Sequence, residues 1–173
     1  TEVCTVFSAT GGTYPDSLAA QVDAALAAVG RLVGKRFGDA ANPLLVSIRS
    51  GARASMPGMM DTVLNLGLND RTVEGLANRS GDRRFAFDSY RRFIQMFGDV
   101  AMGIDMVHFD EAFDARKHKA KVESDTDLTA DDLKAICDEF KKIVTKHAKR
   151  DFPQDPKEQL IMSRNAVFNS WWA

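Results

Sequence analysis

Residues 44–69 read LLVSIRSGARASMPGMMDTVLNLGLN, and this stretch decides how the chain folds. Leucine and β-branched residues lead into Arg49, and a second apolar run opens at Thr62. The segment between them is rich in glycine, small residues and methionine, which favours a loop. We therefore predict two strands joined by a loop. The alternation in residues 62–68 predicts one buried face carrying Leu64, Leu66 and Leu68.

Two arginines, Arg49 and Arg53, give this segment its chemistry. A guanidinium group is a planar fork of donors that keeps its charge, so it suits phosphate better than a lysine does. Placed beside a glycine-bearing loop, it forms a site that anionic oxygens can enter. The alternative is an ordinary β-hairpin whose arginines lie in solvent, because segments of this composition are common.

The remainder of the chain has helical periodicity, with apolar residues three and four positions apart. A short helix capped by Thr1 ends at Gly11–Gly12, residues 34–42 are predicted to be turns, and Pro43 precedes the first strand. After Asn69 no strand pattern reappears. The later helices are predicted over residues 69–78, 82–103 and 106–121, from Thr129 onward, and after the prolines at Pro153 and Pro156.

The longer helices each have an apolar stripe that predicts a core-facing side. From Ser17 the stripe contains Leu18, Val22, Leu26, Val29 and Val33. In residues 82–103 it contains Phe85, Tyr90, Phe93, Ile94, Phe97 and Val100, and in 106–121 it contains Val107, Phe109 and Phe113. After the Thr129 cap, with Asp132 at the third helical position, it contains Leu133, Ile136, Cys137, Phe140 and Val144. In the last helix it contains Leu160, Ile161, Val167, Phe168 and Trp171.

Composition excludes several classes of function. The formal charge is −1, from 23 Lys+Arg and 24 Asp+Glu, so no bulk attraction to nucleic acid or to an anionic membrane is expected. No apolar run approaches the ~20 residues that cross a bilayer, and no signal-peptide pattern is present. Cys4 and Cys137 lack metal-ligand spacing and indicate reduced thiols in a cytoplasmic protein.

The ends of the sequence suggest that it is cut from a longer protein. It begins at Thr1 and ends on Trp171–Trp172–Ala173. Two tryptophans at a free terminus would leave a large apolar area without a core to pack against.

The order of residues in the arginine-bearing segment carries a resemblance to a known family. Ser47–Ile48–Arg49 is followed by SGARASMPGMMDT over residues 50–62. This segment resembles the start of the ATP-binding domain in the pyruvate, phosphate dikinase family, a member of the ATP-grasp group. Related phosphoenolpyruvate synthases continue with a more acidic loop. Further matches are FGD at Phe37–Asp39, FAFDSYRRFIQMF at Phe85–Phe97, DTDLTADDLK at Asp125–Lys134 and FPQDPKEQL at Phe152–Leu160, so the resemblance covers essentially the whole chain.

The resemblance implies an α+β fold that is mostly helical. Residues 1–68 would form part of an ATP-grasp-like nucleotide-binding lobe, and residues 155–173 would return to that lobe. Residues 69–154 would form an all-helical subdomain inserted between these two parts.

Four residues are expected to bind the nucleotide: Arg49, Arg53 and Arg92 from the resemblance, and Thr62 from the chemistry of its hydroxyl. Arg49 would contact its phosphates and Arg53 would lie beside it, while Arg92 would approach from a helix. Thr62 could bind phosphate or magnesium through its hydroxyl, as could the Asp61 carboxylate, although either residue could equally cap an element. For Arg92 the alternative is a surface ion pair with Asp88, and of Arg91 and Arg92 one must point away from the apolar face.

Three other patterns are not counted among the predicted binding residues. The loop from Ala54 to Met60 could close over nucleotide, or its methionines could fill a core. The acidic run from Glu123 to Asp127 lacks the glycine and the final glutamate of a calcium loop. The histidines His108, His118 and His147 lack zinc-ligand spacing, and we predict neither a metal site nor a catalytic residue in this chain.

The activity implied for the parent protein converts ATP, phosphate and pyruvate to AMP, pyrophosphate and phosphoenolpyruvate through a phosphohistidine on another domain. Mg²⁺ would accompany the ATP. The opposite ATP-grasp lobe, the phosphohistidine domain and a phosphate-contacting lysine segment are partners absent from this chain. We therefore expect the chain alone to be inactive and to bind ATP no better than about millimolar. The parent is expected to be a homodimer.

Two alternatives follow from the same residues. The first is a related phosphoenolpyruvate synthase, or a dikinase that acts on water or a glucan, with the same ATP half-reaction. The second is a non-catalytic module whose helical part binds a partner protein.

Overall fold

The computed structural model describes residues 2–49 and 62–170, except for the side chain of Cys4. Seven α-helices and four short strands lie in these ranges, which confirms an α+β fold that is mostly helical. Thr1, Arg53, Asp61, the Ala54–Met60 loop and Trp171 lie outside the described residues. The elements in chain order are α1 (Glu2–Ala9), α2 (Ser17–Val33), β1 (Arg36–Phe37), β2 (Pro43–Leu44), β3 (Val46–Arg49), β4 (Thr62–Leu66), α3 (Thr72–Ser80), α4 (Arg83–Met102), α5 (Met106–Ala120), α6 (Ala130–Ala148) and α7 (Pro156–Ser170).

The first two helices begin and end close to their predicted positions, but α2 does not bury its predicted stripe. In its last two turns only Gly30 is buried, and Val29 and Val33 are exposed. Gly30 is buried because a Cβ there would lie 2.6 Å from the carbonyl oxygen of Lys35. The predicted core-facing side of α2 is therefore wrong over these turns of the helix.

The prediction that residues 34–42 contain only turns was wrong for Arg36 and Phe37. These two residues form β1, which pairs in parallel with β2 through Arg36–Pro43 and Phe37–Leu44. A two-residue strand has no periodicity that a sequence could display. Its pairing with β2 is a tertiary contact.

Strands β3 and β4 form the predicted antiparallel pair, but β4 does not bury a continuous leucine face. Val63 is fully buried, Leu64 is 44% exposed and Leu66 is fully buried. The alternation is reset at Asn65, whose φ of 59° lies in the left-handed region. The pairing between the strands shifts between Val46 and Ile48, as it does at a β-bulge.

Helix α3 begins as predicted, at a turn built by Asn69. Its side-chain oxygen accepts hydrogen bonds from the backbone N–H groups of Arg71 and Thr72, at 2.9 and 2.8 Å. The Thr72 hydroxyl donates to the carbonyl of Gly67 at 2.7 Å. These bonds satisfy donors that the first turn of a helix leaves without partners.

Helices α4 and α6 have the predicted ends because local side chains define them. The Asp82 carboxylate accepts from the N–H of Phe85 at 2.8 Å, and Gly103 ends α4 with a φ of 67°. Thr129 and Asp132 form a complete capping box at the start of α6.

The main core lies between α3, α4, α5, α6 and the β3–β4 hairpin. Rings of Phe93, Phe97 and Phe152 contact one another edge to face, with centroids 5.5–5.7 Å apart. The α6 stripe is buried in full, as predicted. On α4, α5 and α7, three predicted stripe residues are instead exposed: Phe85, Val107 and Ile161.

Helix α7 begins at Pro156, a position where proline's missing N–H costs nothing. Its Gln159 side chain is fully buried and satisfied. The amide nitrogen donates to the carbonyls of Leu68 and Pro153, each at 2.8 Å, and the amide oxygen accepts from the N–H of Gly67 at 3.1 Å. Gln159 therefore joins α7 to the end of β4.

Candidate functional site

The open end of the β3–β4 hairpin places Arg49 opposite Thr62. These residues are the last register pair of the hairpin, so the chain leaves β3 and returns to β4 at this end. The Arg49 side chain is exposed and Thr62 is half-buried. The structure thus brings together Arg49, near the start of the family-like segment, and Thr62, at its end; the residues between them lie outside the described ranges.

Packing of the hairpin explains why Arg49 faces outward. Ile48 packs against the main core, and its register partner Val63 is buried in it. Since neighbouring strand residues point to opposite faces, Arg49 is directed away from this core. Within residues 2–49 and 62–170, Arg49 has no ion-pair or hydrogen-bond partner. Among the described residues, none therefore competes with an anion for its guanidinium donors.

Arg92 lies on α4, also at the surface. Its Nε donates to Oδ2 of Asp88 at 3.0 Å, and 60% of its side chain is exposed. The surface ion pair expected as the alternative for Arg92 is therefore present. It engages only Nε, which leaves the two terminal nitrogens without acceptors among the described residues.

The neighbouring Arg91 is buried and has a structural role. It donates to Oδ1 of Asp88 from Nη2 at 2.6 Å and from Nε at 3.1 Å. Its guanidinium also stacks over the ring of Phe113, 4.5 Å from the centroid. The prediction that one of the two arginines points away from the apolar side of α4 is confirmed, and Arg92 is that residue.

Asp88 is ionised under ordinary conditions. Burial opposes its ionisation, but hydrogen bonds and charge from Arg91, and then from Arg92, outweigh burial and hold the pKa of Asp88 below 3.8. One carboxylate thus serves two arginines. The spacing of three and four residues was visible in the sequence, but the division of the two oxygens between the arginines was not.

A contact between α4 and β4 joins the helix of Arg92 to the hairpin that carries Arg49. The N–H of Leu64 donates to the sulfur of Met96 at 3.2 Å. Met96 lies one helical turn after Arg92, on the same face of α4. Arg92 is therefore on a helix that packs on β4, and β4 pairs with β3, the strand that carries Arg49. Nothing in the sequence indicates this contact, because Met96 resembles any other methionine that packs on a core.

The chemistry of this arrangement suits phosphate. Two exposed guanidinium groups, each with N–H donors that no described residue accepts, can bind phosphate oxygens in pairs. The Thr62 hydroxyl can add one donor. Among the residues that the structure describes, no group of three or more His, Cys, Asp or Glu side chains is placed to hold a metal ion.

A cleft of about 850 Å³ lies elsewhere, between α2 and the start of α7. Leu26, Phe37 and Pro156 line it, and an ion pair of 2.9 Å between Asp23 and Lys157 lies at it. None of the predicted phosphate-binding residues in the described ranges lines this cleft. The cleft is therefore not part of the candidate phosphate-binding site, although it is large.

The histidines form a pair rather than a cluster. The rings of His108 and His147 stack with centroids 4.0 Å apart, and the pKa of His147 is lowered by burial, then by His108 and nearby lysines. Cys137 is a free, buried thiol whose pKa is raised by burial. Among the described residues, these groups have no contact with Arg49 or Arg92.

Comparison with known proteins identifies the relatives of this chain. No protein-family model matches it. It is 52% identical over 172 residues to pyruvate, phosphate dikinase of Clostridium symbiosum, a match covering 99% of this chain and 20% of that protein. The corresponding enzyme of Giardia intestinalis is 51% identical over 170 residues, covering 98% of this chain and 19% of the relative. The chain is homologous to one segment of pyruvate, phosphate dikinase.

The resemblance drawn from the sequence is therefore confirmed. The chain spans about one fifth of the length of the curated relatives it matches. A pyruvate, phosphate dikinase of Arabidopsis thaliana, named chloroplastic, is 47% identical over 171 residues, covering 99% of this chain and 18% of that protein. Of the helices in the described ranges, none combines the length and apolar content needed to cross a bilayer.

Proposed function

We propose that this chain supplies part of the ATP-binding domain of a pyruvate, phosphate dikinase. The supporting observation is identity of about half over nearly the whole chain to enzymes of that name, including the hairpin that carries Arg49. The parent enzyme would convert ATP, phosphate and pyruvate to AMP, pyrophosphate and phosphoenolpyruvate. This chain would serve the first half of the reaction, in which a distant histidine is phosphorylated.

The proposed domain organisation is an ATP-grasp-like lobe with a helical insertion. Residues 1–68 and 155–173 form the lobe part, and residues 69–154 form the insertion. In support of this arrangement, α7 packs against β3 and β4 although about ninety residues separate them in sequence. The hydrogen bonds of Gln159 to Gly67 and Leu68 hold this return in place.

Within this proposal Arg49 and Arg92 bind the phosphates of the nucleotide, with Arg53 beside Arg49 and Thr62 donating its hydroxyl. Their positive charge would stabilise the charge that spreads over the transferring phosphoryl group. Arg49 is available for this role because no group in the described ranges neutralises it. The same holds for the terminal nitrogens of Arg92.

Other components of the reaction would come from the rest of the parent protein. Mg²⁺ would arrive with ATP and shield its phosphates, held by carboxylates of the opposite ATP-grasp lobe. The phosphohistidine domain would receive the phosphoryl group. The chain alone would be inactive and bind ATP no better than about millimolar, so micromolar binding by calorimetry would contradict this part of the proposal. We place the parent in the cytoplasm as a homodimer.

The test follows the β-phosphate of ATP. Full-length enzyme would be incubated with Mg²⁺, phosphate and β-labelled ATP, beside Arg49→Ala and a control, Arg79→Ala. Arg79 is also an exposed arginine, on α3, and has no ion pair within the described ranges. We expect the unaltered enzyme and the control to retain label on histidine, and Arg49→Ala to label about 100-fold more slowly.

The fate of the γ-phosphate distinguishes a pyruvate, phosphate dikinase from the alternative enzymes. Release of the γ-phosphate as pyrophosphate supports a dikinase that uses phosphate, whereas its release as free phosphate indicates a synthase or a water or glucan dikinase. If the folded parent retains no label at all, the likeness reflects ancestry only. The helical part would then be the first candidate for a surface that binds a partner protein.

A further inference from the structure

On α4 the single carboxylate of Asp88 pairs with two arginines, Arg91 and Arg92. Arg91 and Arg92 follow Asp88 by three and four positions, so both side chains can reach its carboxylate although one is buried and the other exposed. Oδ1 of Asp88 accepts both bonds from Arg91, and Oδ2 accepts the Nε bond from Arg92. The buried arginine and the exposed arginine therefore use different oxygens of the same group.

The inner side of this arrangement is fixed by packing. Only 7% of the Arg91 side chain is exposed. Its Nη1 donates to Oε1 of Gln95 at 3.2 Å, and Nε2 of Gln95 donates to Asp110 of α5 at 2.8 Å. The ring of Phe113, also on α5, lies beneath the guanidinium. Contacts from two helices thus prevent Arg91, and with it the Asp88 carboxylate, from changing position freely.

On its exposed side, this arrangement holds the guanidinium of Arg92 in one orientation. A bond at Nε fixes the plane of the Arg92 guanidinium but leaves Nη1 and Nη2 free in the described structure. An unrestrained arginine must lose rotamer freedom when it binds an anion, and Arg92 has already lost part of it. Charge is preserved as well. Arg91 already compensates Asp88, so the group of three side chains keeps one positive charge at its exposed end.

We propose that Asp88 is a positioning residue for the phosphate-binding site. It holds Arg92 by Nε so that both terminal nitrogens meet phosphate oxygens of the nucleotide, while Arg91 anchors the carboxylate from the core. This inference rests on the proposed function, because it assigns Arg92 to the same nucleotide phosphates. Asp88 itself touches no substrate and acts through Arg92.

The experiment is a double-mutant cycle in the full-length enzyme, with KM for ATP and the rate of histidine labelling as readouts. The variants are Asp88→Asn, Arg92→Ala and the two together. Asp114→Asn is the control, since Asp114 forms another i,i+3 helix ion pair, with Lys117 at 3.1 Å on α5, and carries the same change of charge. Thermal unfolding of every variant reports stability separately.

We expect Asp88→Asn to raise KM for ATP by about 3- to 10-fold in the enzyme that retains Arg92, because one oriented charge-assisted contact is weakened. In the Arg92→Ala background the same substitution should change KM by less than about 1.5-fold, because the residue through which Asp88 acts is gone. The control should match the unaltered enzyme. A purely structural Asp88 would lower the melting temperature and reduce activity by the same factor in both backgrounds, and that result would overturn the positioning role.

A second variant covers the case in which Asp88→Asn leaves the buried Arg91 unpaired and the protein does not fold. Asp88→Asn combined with Arg91→Met removes both members of the buried pair and places an apolar side chain against Phe113. The same cycle is then run from that variant, with Arg91→Met alone as its reference. Failure of the proposed function is distinguishable, since Arg49→Ala and Arg92→Ala would then both leave ATP labelling unchanged.

Discussion

Helices α2 and α6 have similar apolar stripes in the sequence but opposite environments in the structure. On α6 every stripe residue, from Leu133 to Val144, is buried against α4 and α5. On α2 the side chains of Val29 and Val33 are 45% and 54% exposed, and Leu32 is 86% exposed. Periodicity therefore predicted both helices correctly, but the burial of a stripe depends on whether another element covers it.

The largest expected effect comes from the helix that is covered. Phe140 on α6 is fully buried and lies edge to face against Phe109, with ring centroids 5.0 Å apart. Phe140→Ala should lower the free energy of unfolding by about 3–5 kcal/mol, because it removes apolar contacts and leaves a cavity. Denaturant unfolding measures this, and the exposed neighbour Glu139→Ala should change it by less than about 0.5 kcal/mol. A loss below 1 kcal/mol for Phe140→Ala would mean that this core is not packed as described.

A smaller effect is expected where the helical part meets the segment between β1 and β2. A Cβ built on Gly75 of α3 would lie 2.0 Å from the carbonyl oxygen of Ala40, so the backbones must separate to admit it. Gly75→Ala should therefore destabilise the protein by about 1–3 kcal/mol, although alanine favours helices.

Asn78→Ala is the matched control for this substitution. Asn78 lies on the exposed side of the same helix, and its side chain has no hydrogen bond among the described residues. Its free energy of unfolding should differ from that of the unaltered protein by less than about 0.5 kcal/mol. A stabilising Gly75→Ala would show that α3 does not contact the Ala40 backbone.

Acid should weaken the α4 region through Asp88. Its pKa lies below 3.8 in the folded protein, so its contribution to stability is present above the unfolded value and is lost as pH falls through the folded value. Unfolding free energies measured from pH 5 to pH 2 should therefore fall less steeply in Asp88→Asn than in the unaltered protein. Equal slopes would contradict an ionised, paired Asp88. This effect ranks below the core substitutions because the carboxylate is partly solvated.

The smallest expected effect belongs to the uncovered helix. Leu32→Ala should change the unfolding free energy of this chain by less than about 0.5 kcal/mol, since the side chain buries little area here. The measurement is the same denaturant titration as for Phe140→Ala. A loss above 2 kcal/mol would show that the stripe of α2 is packed within the chain, which would remove the contrast with α6.

The sequence predicted elements whose signals are local. Asp82 and Gly103 define the ends of α4, and the Thr129–Asp132 capping box defines the start of α6, because each acts within a few residues of itself. Prediction from the sequence failed where a contact between distant residues, or an unusual backbone conformation, decides the local structure. Strand β1 exists through its pairing with β2, and the left-handed conformation of Asn65 exchanged the faces of Val63 and Leu64.

The same distinction holds for the candidate site. Arg49 and Thr62 were predicted from the order of residues in one segment, and the hairpin places them opposite each other. An ion pair of Arg92 with Asp88 was foreseeable from their spacing of four residues. The anchoring of that pair by Arg91, Gln95 and Phe113 was not, because it depends on how α5 packs against α4.

The buried amide of Gln159 has a consequence for association between copies of the chain. A strand end with free N–H and C=O groups can recruit a strand from another molecule, which is a route to aggregation. Just beyond β4, the N–H of Gly67 and the carbonyl of Leu68 already bond to this side chain. Gln159 thus satisfies two backbone groups just beyond β4 that another chain could otherwise bond to, without adding a strand of its own.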